Sequence, residues 1–176
     1  MSNQKILIRS LGQPGDLGWV VMAHGEVYAS EFSCDPGLEV MVAQDVAGYA
    51  TRHSPREGGW IAEVDQRRAG CVFCFMGGDE RTAYLRFLLV EPWARNEHVG
   101  GRLVDECLDF ARRVGYARME LSTDDPVIAA RLYRSRGFTF VEEKPHHKYG
   151  ADLTDYFYEL NLLQGGVNPA DAPDPR

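Results

Sequence analysis

A polar, charged turn followed by two glycines is the segment whose residue types are best suited to chemistry. The turn covers residues 95–98, and Gly100 and Gly101 follow it, shortly after the apolar run of residues 85–90. That run predicts a buried strand, and the residues from Val99 onward predict a helix. The first amides of a helix lack internal partners and carry the positive end of its dipole. Glycines at that point let an anion approach the backbone.

Arg95 and the helix start together predict a cradle for a phosphate group, because the guanidinium would add a charged contact. The alternative is an ordinary strand-to-helix connection of an α/β domain, since glycine-containing turns are common. The predicted helix is amphipathic. Its apolar stripe is formed by Val99, Leu103, Cys107, Phe110 and Val114.

Two motifs in this part of the chain resemble those of the GNAT (Gcn5-related) N-acetyltransferases. Residues 90–103 resemble the family's acetyl-CoA pyrophosphate loop, Arg/Gln-x-x-Gly-x-Gly/Ala, with His98 in place of its first glycine and Asn96 where another is usual. Residues 129–138 are similar to the family's late A-x-x-LY-x-x-x-GF segment. The resemblance covers nearly the whole chain and is closest to the acetyltransferase half of bacterial fusions between a MarR-type regulator and a GNAT domain.

The resemblance implies acetyl-CoA as the acetyl-donor cosubstrate and no metal. Backbone groups at the strand end would pair with the pantetheine as an added strand does, and an N–H near Val90 would polarise the thioester carbonyl. The loop and the helix start would bind the pyrophosphate. The cofactor-binding residues implied are Leu88, Leu89, Val90, Arg95, Asn96, His98, Val99, Gly100 and Gly101.

The reaction implied is direct attack of a neutral amine on the thioester. Tyr133 matches the family's tyrosine that protonates the leaving thiolate, although its place on one face of a short helix would by itself indicate a core residue. A base must take the proton of the amine near neutral pH. The candidates for this base are Glu63 on a strand, Glu31, and His146 or His147 in a loop between the last two strands.

The resemblance also implies a pocket for the acceptor amine beside the first two helices. These helices are predicted to begin near Asp16 and Leu38, and Gly18 and Gly25 would weaken the first helix or break it in two. Solvated charges and a packed tyrosine are the alternative explanation for the polar residues there. The candidate acceptor-binding residues are Glu26, Tyr28 and Glu31, together with His146 from the late loop.

Two patterns that suggest metal binding are better explained in other ways. Cys71-x-x-Cys74 lies in an apolar, strand-like run without a second cysteine pair, so core packing is expected rather than zinc or redox chemistry. His146 and His147 are adjacent on an extended segment and would point in opposite directions, which makes them a poor pair of ligands. We therefore expect no metal site.

The order of predicted elements indicates an α/β (α+β) fold with a mixed, mostly antiparallel seven-stranded sheet flanked by about four helices. Three consecutive strands with short links predict an antiparallel meander. This order matches the GNAT plan, in which the fourth and fifth strands splay apart around the pantetheine. The predicted strands are residues 6–8, 60–64, 70–76, 85–90, 119–123, 138–141 and 156–160.

Length and composition favour one domain over residues 1–164, followed by a disordered tail over residues 165–176. A chain of 176 residues has room for a single core of ordinary size. The net charge of −7 argues against nucleic-acid binding, which requires a basic surface. No apolar run approaches the ~20 residues of a membrane span, so no membrane partner is expected. The four cysteines form no disulfide framework and the N-terminus lacks an apolar targeting core, so a reduced, cytoplasmic setting is expected.

Two functions stay open at this stage. The first is an N-acetyltransferase that modifies a primary amine of a small molecule or a peptide. The second is a non-catalytic relative that binds acyl-CoA or a partner protein. Tyr133 and the strand end favour the enzyme, whereas His98 and Asn96 favour the binding module. GNAT domains often pair through their last strands, so a homodimer is a further expectation.

Overall fold

The computed structural model describes residues 5–163. Its helices are α1 (Asp16–Phe32), α2 (Gly37–Arg52), α3 (Val99–Arg113) and α4, which runs from Pro126–Ile128 through a π-helical turn, Ala129–Tyr133, into a 3₁₀ turn, Arg134–Arg136. Its strands are β1 (Ile6–Ser10), β2 (Gly58–Val64), β3 (Arg67–Met76), β4 (Thr82–Val90), β5 (Arg118–Thr123), β6 (Thr139–Lys148) and β7 (Ala151–Asn161). Within residues 5–163, no helix has both the length and the hydrophobicity required to cross a membrane.

The seven strands form one mixed sheet in the order β1-β2-β3-β4-β5-β7-β6. β4 and β5 are parallel, and every other neighbouring pair is antiparallel. The predicted architecture is confirmed. The order of the last two strands did not follow from the sequence: β7 lies between β5 and β6, which leaves β6 at the edge of the sheet.

A hydrophobic core lies on each face of the sheet. On one face, α1 and α2 pack against β2 and β3 through buried residues such as Val20, Val42 and Phe73. On the other face, α3 packs against the sheet, and Leu103 of α3 and Met119 of β5 are in this core. Because β2 and β3 are covered on both faces, their sequences are almost continuously apolar rather than alternating.

Helix α1 is unbroken, so the predicted break at Gly18 or Gly25 is wrong. Gly25 is buried, and a Cβ at this position would collide with the side chain of Glu39 on α2. The glycine therefore leaves room for the Glu39 side chain between α1 and α2. Tertiary packing of this kind outweighs the roughly 1 kcal/mol by which glycine disfavours a helix interior.

Strand β6 is longer than predicted, and this changes the position of two candidate residues. His146 and His147 lie within β6, paired with Leu153 and Asp152 of β7, rather than in a loop. The hairpin pairing continues almost to the two-residue turn at residues 149–150, and it extends both strands. Successive side chains in a strand alternate between faces, so the two histidines point to opposite sides of the sheet. The predicted tail, residues 165–176, lies outside the described residues.

Candidate active site

A cleft opens in the sheet where β4 and β5 separate. The two strands are paired only from Thr82 to Leu85 of β4 and from Arg118 to Leu121 of β5. Beyond Leu85 the other edge of β4 stays bonded to β3, with Leu89 opposite Cys71. The β5-facing backbone groups at the end of β4 are therefore not used by the β4–β5 ladder. The splay expected from the GNAT plan is present.

A β-bulge lies in β4 just before this free edge. Phe87 has a left-handed backbone with φ of 55°, and the register of β3 against β4 shifts at the same point. The Cys71 thiol donates a hydrogen bond to the Phe87 carbonyl at 3.3 Å. The Phe87 ring packs edge-on against Phe73 and His24, with centroids 5.9 and 5.3 Å apart. These contacts stabilise the left-handed backbone of Phe87, which is unfavourable for a bulky residue. No pattern in the sequence predicted this bulge.

The larger of two cavities, about 640 Å³, lies between the end of β4, the start of α3 and α4. Its lining includes Tyr28 and Glu31 from α1 and Tyr133 from α4. All nine residues predicted to bind the cofactor also line it: Leu88, Leu89, Val90, Arg95, Asn96, His98, Val99, Gly100 and Gly101. The structure thus brings the predicted set together around one cavity.

The start of α3 is built as an anion cradle. His98 precedes the helix with φ of 59°, so its backbone is left-handed as a glycine would be. A Cβ on Gly101 would lie 2.6 Å from an Nη atom of Arg136, so glycine leaves room for this guanidinium beside the helix start. Asp105 holds Arg136 in place through two hydrogen bonds of 2.6 and 3.0 Å.

Three arginines line this cavity, and sequence reasoning assigned only one of them to the site. Arg131 and Arg136 join Arg95 in the lining. Three guanidinium groups, with the amides of a helix start, suit the phosphates of a coenzyme A molecule. Arg136 could not be assigned to the site from the sequence, because only the folded structure shows that residues 101 and 136 are close in space.

Two contacts fix the position of the Arg95 side chain. Its Nε donates a hydrogen bond to the Val90 carbonyl at 3.2 Å, and its Nη1 forms an ion pair with Glu31 at 2.7 Å. Glu31 was predicted to receive the amine or to act as the base. In the structure it pairs with Arg95 on the wall of the larger cavity, and it does not line the smaller one described next.

The smaller cavity, about 200 Å³, shares walls with the larger one. Four residues line both: Tyr28, Leu88, Thr123 and Tyr133. The smaller cavity also contains Asp124, at the end of β5, with Asp155 of β7 and His146 of β6. The His146 Nε2 atom is 3.3 Å from Asp155 Oδ2 and 3.9 Å from Asp124 Oδ1.

The Asp124, His146 and Asp155 side chains place their polar atoms within 4.8 Å of one another. Both ring nitrogens of His146 are buried without a hydrogen bond to another described residue. This geometry suits a small cation, whether an ammonium group or a metal ion. Sequence reasoning included His146 in the site but missed both aspartates, which are about thirty residues apart in the chain.

Several titrating groups around the junction of the cavities have shifted pKa values. Burial, and then the neighbouring Asp155 carboxylate, raise the pKa of Asp124 to about 6. Burial raises the pKa of both Tyr28 and Tyr133 well above that of a free tyrosine. Burial lowers the pKa of His24 to about 4, and its Nδ1 donates a hydrogen bond to the Val20 carbonyl at 2.8 Å. At neutral pH the tyrosines and His24 are therefore uncharged, whereas Asp124 is ionised.

Glu63 and His147 lie away from both cavities. Glu63, on β2, forms an ion pair with Arg9 of β1 at 2.7 Å. His147 is on the other face of β6 from His146, 68% exposed, and 2.7 Å from Asp152. Neither Glu63 nor His147 is among the described residues that line the two cavities, so their positions do not support the predicted catalytic roles. Both candidates were chosen by residue type, which does not reveal the face of a strand.

Comparison with known sequences gives an independent indication of what this site does. The model of the acetyltransferase (GNAT) family matches residues 22–138, two thirds of the chain, including the cradle and Tyr133. An uncharacterised N-acetyltransferase of Schizosaccharomyces pombe is 29% identical over 150 residues, which cover 84% of this chain and 91% of that relative.

Solved structures with the same fold include known members of this group. The protein yncA of Salmonella typhimurium, described as an acetyltransferase and solved with its cofactor acetyl-CoA, has a TM-score of 0.74 at 20% identity, over 92% of this chain and 96% of that chain. The ribosomal-protein-alanine N-acetyltransferase from Brucella melitensis has a TM-score of 0.73 at 18% identity, over 88% and 99%. At these identities the likeness shows the fold alone. The closer resemblance to MarR–GNAT fusions stays a prediction.

Proposed function

The chain belongs to the acetyltransferase (GNAT) family, and from this membership we propose that it moves an acetyl group from acetyl-CoA to a primary amine of a small molecule or peptide. The observation that carries the proposal is the junction of the two cavities at Tyr28, Leu88, Thr123 and Tyr133. One cavity suits a large anionic cosubstrate, and the other suits a small cation. Acetyl transfer requires these two ligands to meet.

Acetyl-CoA fits the larger cavity in two respects. The pyrophosphate would lie at the start of α3, held by the helix amides and by the guanidinium groups of Arg95 and Arg136. The pantetheine would run along the free edge of β4, where the backbone of residues 88–90 can pair with its amides as an added strand does. A backbone N–H at this edge would stabilise negative charge that develops on the thioester oxygen.

The proposed reaction is direct transfer. The amine enters as an ammonium ion and loses a proton to Asp124, which exposes the nitrogen lone pair. The nitrogen then bonds to the carbonyl carbon while the carbon–sulfur bond breaks, and the electron pair of that bond remains on sulfur. The nitrogen passes its second proton to the departing thiolate, which leaves as the CoA thiol, and Asp124 returns the first proton to solvent. The Tyr133 hydroxyl, which has no hydrogen-bond partner among the described residues, donates to the sulfur. Its raised pKa keeps it protonated and favours hydrogen bonding over complete proton transfer.

The test is the release of CoA from acetyl-CoA in the presence of a panel of primary amines, followed with a thiol-reactive dye. We expect Tyr133→Phe to lower kcat by about a hundredfold while acetyl-CoA binding persists. Tyr116→Phe is the matched control, because Tyr116 is also buried but its hydroxyl donates to the Arg56 carbonyl at 2.9 Å and does not face either cavity. Equal activities for the Tyr133→Phe variant and the wild type would refute the assigned role of Tyr133.

A non-catalytic binding module is the second candidate function, and one observation favours it. His98 has a side chain where a glycine would leave the phosphate cradle open, and its backbone is left-handed. Calorimetric titration with acetyl-CoA, followed by the assay of CoA release, distinguishes the two functions. Micromolar binding by the wild type, together with CoA release in the presence of an amine, supports the enzyme, whereas binding without CoA release supports an acyl-CoA-binding module. Binding only by a His98→Gly variant would mean that His98 closes the cradle. The expectations of a cytoplasmic location and of a homodimer stay predictions.

A further inference from the structure

The smaller cavity is lined by charges of both signs, and along the β6–β7 hairpin the register separates Lys148 from Asp155. Asp124 and Asp155, with His146, lie next to Thr123 and Tyr133, where the cavity meets the cofactor cleft. Two cationic side chains, Arg86 of β4 and Lys148 of β6, line the same cavity. The register of the β6–β7 hairpin fixes the positions of these side chains along it. Lys148 is next to the turn, His146 is two residues further from the turn, and Asp155 lies opposite Lys144, two residues further again.

The two cationic groups retain capacity to bind an anion. Arg86 forms an ion pair with Asp45 through Nη1 at 2.8 Å, but the neighbour of its Nη2 is the sulfur of Met41 at 3.3 Å, which is a weak acceptor. Lys148 has no carboxylate within 4 Å among residues 5–163, although the Lys148 charge is close enough to act on Asp124. A guanidinium and an ammonium group together form a suitable site for a carboxylate.

The size of the cavity limits what can enter. A volume of about 200 Å³ corresponds to roughly seven water molecules at about 30 Å³ each. A single amino-acid-sized molecule has this bulk, whereas an extended peptide would need a longer groove beyond the cationic residues.

Resting on the proposed function, we propose that the acceptor is a small zwitterion of the amino-acid type. Its ammonium group lies between Asp124 and Asp155, and its carboxylate, or an equivalent anionic group, lies against Arg86 and Lys148. The acidic residues adjoin Tyr133 and the cofactor cleft, so this orientation presents the amine, and not the carboxylate, to the thioester. The anionic group is thus the feature by which the site selects its acceptor.

The first experiment compares each of the standard amino acids with its own amide, and with a dipeptide that it begins, as acceptors for the wild-type protein with acetyl-CoA. We expect kcat/KM for the best amino acid to exceed that for its amide by about tenfold or more. The amide lacks the carboxylate charge that raises the pKa of the neighbouring amine, so more of its amine is neutral and reactive at a given pH. Amine basicity by itself would therefore favour the amide, and a preference for the amino acid must have another cause.

A variant pair links the preference to the cavity. Lys148→Met should raise KM for the best amino acid by about tenfold, with kcat little changed, and should leave the amide unaffected. The rates are compared at about pH 8, where Asp124 stays ionised although the variant loses a charge that lowers its pKa. Lys144→Met is the matched control, because Lys144 is on the same strand but pairs with Glu142 and lies over the Phe157 ring outside the cavity. Equal losses for the acid and the amide in Lys148→Met would overturn the assignment.

The remaining outcomes separate this inference from the proposed function. Equal kcat/KM for acid and amide, or a preference for dipeptides, would overturn the zwitterion and leave acetyl transfer intact. Loss of activity in EDTA would show that the Asp124–His146–Asp155 cluster holds a metal ion. A metal ion there would also overturn the proposal that these residues bind the ammonium group of a zwitterion. Acetyl-CoA binding without acetylation of any amine would overturn the proposed function itself.

Discussion

Asp124 is a largely buried carboxyl whose surroundings oppose its charge. Burial, and then Asp155, raise the pKa of Asp124 to about 6, while the nearby His146 and Lys148 act in the opposite direction. Tyr28, which also lines the cavity, is uncharged at neutral pH because burial and Asp124 itself raise its pKa. Such a carboxyl is well suited to accept a proton near neutral pH, and its charge disfavours folding.

We expect kcat/KM for amine acetylation to rise with pH through about 6, because Asp124 must be ionised to accept the proton of the amine. Asp124→Asn should lower kcat by about a hundredfold and remove this step from the profile. The measurement is the rate of CoA release between about pH 5 and about pH 9. The increase in kcat/KM that comes from deprotonation of the substrate ammonium group at higher pH should remain in the variant. A step near pH 6 that survives in Asp124→Asn would identify another group as the base.

The same variant should be more stable than the wild type at neutral pH. The folded-state pKa of Asp124 lies above the unfolded value of about 3.9, so the folded protein binds more protons between about pH 4 and pH 6. Stability from this group therefore falls as pH rises through that window. Asp124→Asn should gain about 1 kcal/mol in the free energy of unfolding at pH 7 and nothing below about pH 4.

Urea unfolding at the two pH values measures this gain. Asp152→Asn is the control, since the Asp152 side chain is 94% exposed and its pairing with His147 contributes little. A loss of stability in Asp124→Asn at pH 7 would show that hydrogen bonds to the carboxylate outweigh its burial.

At the scale of elements, the connection from β4 to α3 shows how a local strain supports a site. Asn96 and His98 both have left-handed backbones, with φ of 67° and 59°. Asparagine tolerates this conformation, whereas histidine costs roughly 1–2 kcal/mol relative to glycine. The turn must reverse the chain sharply so that the first amides of α3 face the cleft at the end of β4.

We expect His98→Gly to raise the free energy of unfolding by about 0.5–1 kcal/mol, because relief of the left-handed strain exceeds the added entropy of an unfolded glycine. His53→Gly is a matched control, since His53 ends α2 with φ of 48° and does not line either cavity. Both variants should unfold at higher temperature in a calorimeter. If only His53→Gly is stabilised, the His98 imidazole contributes favourable contacts that offset its strain.

At the scale of the whole molecule, Asp16 connects elements that are distant in the sequence. Its carboxylate is fully buried and forms ion pairs with Arg9 of β1 and Arg68 of β3, each at 2.8 Å. It also accepts hydrogen bonds from the amides of Gly12 and Gln13. Burial by itself would raise the pKa of Asp16, but these donors hold it well below its usual range. The edge of the sheet and the start of α1 are joined at this point.

Asp16→Asn should lower the free energy of unfolding by about 3 kcal/mol at pH 7, because two arginines would lose the buried charge that compensates theirs. The folded-state pKa is depressed, so the wild-type contribution is present above about pH 4 and is lost as pH falls toward the folded value. Urea unfolding from about pH 7 to about pH 2 should show the two proteins converging at acid pH. A constant difference across this range would mean that Asp16 acts through packing and not through its charge.

The local patterns of the sequence determined the elements and the cofactor cradle. The strand end, the turn and the helix start lie within residues 85–101, so their backbone positions depend on neighbours in the chain. That is why all nine predicted cofactor residues line one cavity. The family motif added the role assigned to Tyr133, which its apolar surroundings alone would not have suggested.

Tertiary structure alone decided the smaller cavity, which we propose binds the acceptor. β7 inserts between β5 and β6, and this brings Asp155 and His146 beside Asp124. The same long-range packing pairs Glu31 with Arg95 and brings Arg136 over Gly101. Residue type and spacing reveal which side chains have useful chemistry. Strand order and strand face decide which of them meet, because these depend on burial of the two cores and not on local sequence.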